Sequence, residues 1–193
     1  VCRRLPFAAL EPLVRERAWT LDDIMRVAWQ TYGREPGHGL PEGAFDLVLR
    51  GAGEKAFSAG QDLKEYQEAK RSMKEMLEQG YNPIIKQMCS IEKPVIGMIN
   101  GVAAGAGCSL ALACDMRIMS STAKLIEVFI RIALVPDSGS HWFLTRLVSM
   151  ARAFEYATTG RDIAAEEAER VGLVNAVVPP ERLEEETMAL ARR

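Results

Sequence analysis

The chain has 193 residues, enough for one domain with a real core, and its 48% hydrophobic and 26% charged content excludes a disordered polymer. With 24 basic and 26 acidic side chains the net charge is -2, which gives a polyanion such as nucleic acid no field to follow. Four cysteines without C-x-x-C spacing, two distant histidines, no signal-peptide core and no apolar run of roughly 18 residues predict a reduced, cytoplasmic protein without a metal or a membrane span.

In chain order, Leu21, Ile24, Met25 and Ala28 fall at helical spacing behind a Thr20/Asp23 capping pair and predict a short helix over 20–29. Four glycines and two prolines between Tyr32 and Gly43 predict a loop, so residues 1–44 are set apart as an N-terminal segment and the organised domain spans 45–193. Phe45 to Leu49 suits a buried strand. Residues 63–89 are charged and helix-forming, with Tyr66, Ala69, Met73, Met76 and Leu77 on one face. Pro94 to Ile99 predicts a second strand, 101–107 a small-residue turn, 108–114 an apolar helix and 116–119 a third strand. A helix is expected from about Ser140. Ala164 to Arg170 reads as a helix, Leu173 to Val178 as a strand, and the Pro179-Pro180 pair as the start of a final helix. Strand, turn, helix and strand in repetition predict a layered α/β fold with right-handed crossovers.

Two turns stand out chemically. Residues 57–63 (F-S-A-G-Q-D-L) lie between a strand and a helix, where unpaired backbone amides at the helix start can hold an anion. Residues 100–109 (N-G-V-A-A-G-A-G-C-S) carry only small side chains and let a ligand approach the backbone above a second helix start. Either turn alone is read first as close packing of strand and helix, and only second as an anion site. Asp137 is placed to cap the helix beginning near Ser140, the reading its own surroundings favour. Ser138, Ser140 and His141 beside it read as helix-start polar residues, because a hydrolytic triad is assembled from separate segments and no G-x-S-x-G elbow occurs. Strand alternation leaves Glu127 equally placed to face a substrate or to turn away.

Four motifs in one order carry a resemblance: A-F-S-A-G-Q-D-L (56–63), E-K-P-V-I-G-M-I-N-G-V-A-A-G-A-G-C-S-L-A-L-A-C-D (92–115), L-V-P-D-S-G (134–139) and T-G-R-D-I-A-A-E-E-A-E-R-V-G-L-V-N-A-V-V-P (159–179). Together they resemble the crotonase (enoyl-CoA hydratase/isomerase) family. The resemblance implies a ClpP/crotonase spiral of ββα units and an acyl-CoA thioester as substrate, with coenzyme A as part of that substrate and no permanently bound cofactor. It also implies a homo-trimer or hexamer. By motif position the oxyanion hole is formed by the backbone N–H groups of Gln61 and Ala106, and substrate or coenzyme A contacts fall on Ala56, Phe57, Ser58, Ala59, Asp62, Leu63, Gly105, Ser109 and Phe129. Ser109 and Phe129 stand where hydratases of the family carry their two glutamates. Asp137 matches the aspartate of the F-x-R-I-x-L-V-P-D-S-G pattern of phenylacetate-pathway ring-opening isomerases, with Ala133 at a position often held by glycine. The resemblance therefore implies an isomerase with Asp137 as proton shuttle, with a hydratase using Glu127 or a non-catalytic acyl-CoA-binding paralogue as alternatives. Against the family pattern, residues 1–44 are atypical and the C-terminus is short.

Overall fold

The computed structural model describes residues 47–61, 72–91 and 93–192. The expected helix over 20–29, and the site positions Asp62 and Leu63, lie outside the described residues. Strands β1 (Leu47–Arg50) and β2 (Ala56–Ser58) come first. Helix α1 (Met73–Met76) opens on a Ser72/Glu75 capping box, passes through a π-helical stretch (Leu77–Tyr81) and continues as α2 (Asn82–Met88). The cause of the π turn is local: Pro83 has no N–H for the ladder, and the preceding Asn82 N–H reaches back five residues to the Leu77 carbonyl. The expected helix over 63–89 is thus present from Met73, with an irregularity that its apolar spacing did not announce.

Strands β3 (Val95–Ile99) and β4 (Val102–Ala104) lead into α3 (Ala106–Ala113), then β5 (Met116–Ser120), β6 (Lys124–Ile126) and a 3-10 turn (Val128–Ile132). Next come α4 (Ser140–Leu147), α5 (Met150–Thr159), β7 (Asp162–Ala164), α6 (Ala165–Arg170), β8 (Ala176–Val178), a 3-10 turn (Pro180–Arg182) and α7 (Leu183–Ala191). One sheet is parallel in the order β1-β3-β5-β8. The second runs β2-β4-β6-β7, with only β6 and β7 antiparallel. Three successive passages (β1–β2, β3–β4, β5–β6) each add a strand to the first sheet, turn a corner and add a short strand to the second, and β7 and β8 then extend the second and the first sheet in turn, which is the expected spiral of ββα units. Asn100 ties two successive corners together. Its Oδ1 accepts from Gly51 N at 2.9 Å, and its Nδ2 donates to the carbonyls of Gly51, Gly53 and Ala56.

All five residues of β3 are buried, as a parallel strand covered on both faces must be. One face joins the main core with α3, α5 and the second sheet, through Ile99, Leu112, Leu125 and Tyr156. The other is sealed by α7, where Leu183 packs on Val48, Ile96, Met98 and Ile118. Helix α3 is buried along its whole length. Alanine and glycine make that possible, because a helix inside the core has room for few larger side chains.

Arg117 on β5 is buried in this core. Its Nε donates to the Leu173 carbonyl at 2.6 Å, and its Nη1 to the carbonyls of Leu112 and Cys114, which belong to the end of α3. A cation at a helix C-terminus opposes the exposed carbonyl dipoles. Burial lowers the pKa of the guanidinium, so the charge itself is held at a cost. Substituting Arg117→Met relieves that cost but leaves three buried carbonyls without a donor, each worth about 1–3 kcal/mol. The carbonyls decide the sign: R117M is expected to lose about 3 kcal/mol or more, read as a lower urea midpoint with an unchanged slope.

Candidate active site

The first sheet ends where the second begins, and the turns leaving β2 and β4 meet there. Ala59, Gly60 and Gln61 follow β2, while Gly105 and Ala106 join β4 to α3. A Cβ on Gly60 would lie 2.8 Å from the Ala104 carbonyl oxygen and 3.2 Å from the Ala106 nitrogen, so the two turns are already in contact. Gly60 has φ +84 and Gly105 φ +54. Ala106 is the first helical residue of α3, so its N–H has no acceptor within the helix. Both turns line a single cavity of about 290 Å³, together with Asp137. Three positions far apart in sequence, Gln61, Ala106 and Asp137, are thereby brought to one space.

The cavity wall is apolar. Met73, Met76, Leu77 and Tyr81 come from the α1 and π-helical stretch, and Val128, Phe129, Ile132 and Leu134 from the 3-10 turn and the segment after it. Sequence reasoning named only Phe129 of these. The signal was present in the helical spacing of Met73, Met76 and Leu77, but that spacing gives a face without saying what it faces. Arg131 also borders the cavity, with its guanidinium engaged by the Gly160 carbonyl at 2.7 Å and by Asp162 at 3.4 Å.

Asp137 is half-buried. Burial raises its pKa above the usual aspartate value, against the opposing pull of the Ser138 hydroxyl, which donates to Oδ1 at 2.8 Å, and of His141. The turn that carries it is strained: Ser138 has φ 51, a conformation unusual for a residue with a side chain, and Gly139 follows at φ 79. The Ser140 N–H closes the turn on the Asp137 carbonyl at 2.8 Å. The cap of α4 is Gly139, and no side chain makes a capping hydrogen bond there. The capping role that the sequence left open for Asp137 is not the one the structure gives it.

Other expected contacts are placed differently. Phe57 is fully buried in the main core, and the Ser58 hydroxyl accepts from Gly60 N at 3.3 Å, so their side chains support the turn and only backbone faces outward. Ala56 starts β2, and Ala59 and Gly105 line the cavity. The expected substrate contact at Ser109 is corrected: the residue is fully buried, and its hydroxyl donates to the carbonyls of Gly105 at 3.3 Å and Asp137 at 3.2 Å. Glu127, left open by strand alternation, turns inward. It is fully buried, does not line the cavity, and its Oε1 accepts from Ser140 Oγ at 2.6 Å. Among the described residues no group of three or more His, Cys, Asp or Glu side chains is placed to hold a metal ion, and no helix is long and apolar enough to cross a membrane.

Stacked ββα units with this turn geometry are the crotonase architecture, and solved structures of that kind superpose on the chain. An enoyl-CoA hydratase from Bacillus anthracis, 34% identical, overlays with a TM-score of 0.73 over 97% of this chain and 66% of that one. The chain belongs to the enoyl-CoA hydratase/isomerase family, whose model matches residues 45–193. Relatives include a probable enoyl-CoA hydratase of Rhodobacter capsulatus, 42% identical over 69% of this chain and 51% of the relative. A 1,2-epoxyphenylacetyl-CoA isomerase of Escherichia coli is 39% identical over 76% of this chain and 57% of its own length. The chain spans about half the length of these curated relatives.

Proposed function

We propose that this protein is an acyl-CoA isomerase working through a thioester enolate. The observation that carries the reading is that, among the described residues, Asp137 is the one carboxylate lining the cavity onto which the Gln61 and Ala106 turns open. Amides aimed at the thioester oxygen stabilise the charge that develops when a proton leaves the neighbouring carbon. A single carboxylate can take that proton from C2 of a 3-enoyl thioester and deliver it to C4, shifting the double bond with no net change in atoms. Hydration needs more: one group to activate water and another to protonate carbon. Phe129 is a hydrocarbon wall, Ser109 is bound to backbone, and Glu127 lies behind the cavity.

An unsaturated or ring-epoxidised phenylacetyl thioester fits the apolar wall and the name of the Escherichia coli relative. Coenzyme A enters as part of the substrate, and a cytoplasmic trimer or hexamer completes the reading by family analogy. Hydratase activity is the second reading, favoured by the names of relatives such as the short-chain-enoyl-CoA hydratase of Clostridium acetobutylicum. Incubation of 3-enoyl-CoA in oxygen-labelled water separates the two. Isomerisation gives 2-enoyl-CoA without label, whereas 3-enoyl-CoA left unchanged, with labelled 3-hydroxyacyl-CoA formed from 2-enoyl-CoA supplied in the same water, would overturn the proposal.

A further inference from the structure

Behind Asp137, on the side away from the cavity, lies a buried polar cluster drawn from three separate elements. Ser109 of α3 donates to the Asp137 carbonyl and to the Gly105 carbonyl, so one hydroxyl spans the turn beside the Ala106 amide and the turn that carries the carboxylate. Ser140, at the start of α4, gives its N–H to the Asp137 carbonyl at 2.8 Å and its hydroxyl to Glu127 Oε1 at 2.6 Å. Glu127 and Ser140 are both fully buried, as is Ser109. The second oxygen of Glu127, Oε2, is buried without a hydrogen-bond partner, and the Cys108 thiol lies beside the carboxyl without meeting hydrogen-bond geometry. Such a cluster is costly, and a leucine in place of Glu127 would avoid the cost.

We propose that Glu127, Ser140 and Ser109 are positioning residues that form a buried brace holding the Asp137 turn in register with the Ala106 amide. This inference rests on the isomerase reading of the site. One leg runs from the oxyanion turn through Ser109 to the Asp137 carbonyl; the other runs from the segment after β6 through Glu127 to Ser140 and the base of the same turn. Ser138 in its left-handed conformation needs such support, because a strained turn relaxes unless its surroundings over-determine it. The serine at the hydratase glutamate position has therefore become a strut rather than a substrate contact.

The brace works with Glu127 in its neutral form. Among the described residues no Lys or Arg pairs with the carboxyl, the Ser140 hydroxyl donates to Oε1 while Oε2 has no hydrogen-bond partner, and burial raises the pKa above the ordinary glutamate value, with Asp137 adding to the rise while Ser140, Cys108 and His141 oppose it. A neutral Glu127 adds no second negative charge behind the shuttle. Its ionisation, as pH rises through its raised pKa, places an unpaired charge in the core beside Asp137 and unseats the turn.

Two measurements test the brace. Infrared spectra in heavy water across a pH series are expected to show, in the wild type and in D137N, a protonated-carboxyl band that persists to higher pH than an ordinary glutamate allows and is absent from E127Q. No difference between the wild type and E127Q overturns the neutral brace, whatever the enzyme catalyses. In turnover, S109A and E127L are expected to lose about 10- to 100-fold in kcat with KM within about twofold, because geometry and not binding is disturbed. E127Q is expected to recover kcat to within about threefold and to lack the decline in kcat that the wild type is expected to show as pH rises through the Glu127 pKa. Should E127L fail to fold, S140A tests the same leg. Wild-type kcat in S109A together with S140A would sink the proposal, whereas wild-type turnover in D137N would sink the isomerase reading and leave the infrared result standing.

Discussion

Replacing Asp137 by asparagine is expected to lower turnover of a 3-enoyl-CoA thioester by about 100- to 10,000-fold, the range that one positioned acid or base supplies. Asparagine keeps the size of the side chain and an oxygen for the Ser138 hydroxyl, so the turn survives while the proton acceptor does not. Binding should be retained, with KM little changed. The protein should also be no less stable at neutral pH. A carboxyl whose folded pKa is raised holds its proton more tightly in the folded state, so stability falls as pH rises from the unfolded value through the folded one. At neutral pH the ionised Asp137 is a net cost, and asparagine removes it. Activity has the opposite sign, since the shuttle must be ionised to accept a proton. Wild-type turnover is therefore expected to fall as pH drops through the Asp137 pKa, at a pH above the ordinary aspartate value of about 3.9, and the residual activity of D137N should lack that limb. Unchanged turnover in D137N would remove Asp137 from the mechanism.

How much of this could be read in the sequence depended on length and on facing. Val95–Ile99 and Met116–Ser120 are apolar runs long enough to carry a strand signal, and both were legible. The strands of the second sheet at Ala56–Ser58, Val102–Ala104, Lys124–Ile126 and Asp162–Ala164 have three residues each, too few to show a period, and two lie inside the motifs read as turns. The expected strand over 173–178 pairs only from Ala176: Leu173 and Val174 are apolar because they are buried, not because they join the sheet. Site positions were legible where family motifs fixed them, as for Gln61, Ala106 and Asp137. Facing was not. Glu127 and Phe129 lie two residues apart, yet one turns into the core and the other to the cavity, because the 3-10 turn beginning at Val128 breaks the strand alternation on which a guess would rest. Serine at position 109 could be read as a missing glutamate, but its bond to the Asp137 carbonyl depends on a partner 28 residues away.

The second large effect is expected from Gly107→Ala, a change that sequence reasoning alone would score as favourable. Within a helix alanine is preferred to glycine by about 1 kcal/mol. Gly107 lies in the first turn of α3, so propensity predicts a gain. Packing predicts the reverse. A Cβ at this position would sit 2.2 Å from the Ser58 carbonyl oxygen and 2.7 Å from the Ser58 carbonyl carbon, and these are backbone atoms of β2 that no rotamer change can clear. Either α3 or the end of β2 must shift, and on the proposed mechanism each leads to one of the two oxyanion amides. Overpacking of this kind costs about 1–3 kcal/mol, more than propensity returns. Loss of alignment at one oxyanion donor costs about 100- to 1,000-fold in kcat. G107A is thus expected to combine a lower urea midpoint with a kcat reduced by that factor, while G53A, whose added Cβ meets nothing within 4 Å but sits at φ +76, should lower the midpoint through backbone strain and leave kcat unchanged. Wild-type kcat and midpoint in G107A would mean that the β2 and β4 turns can part without consequence, and that the amides of Gln61 and Ala106 do not act on one oxygen. The neighbouring position shows why the glycine is specific: Ala106 already carries its methyl group in the same helix start, whereas at 107 the strand backbone fills the space a methyl would need.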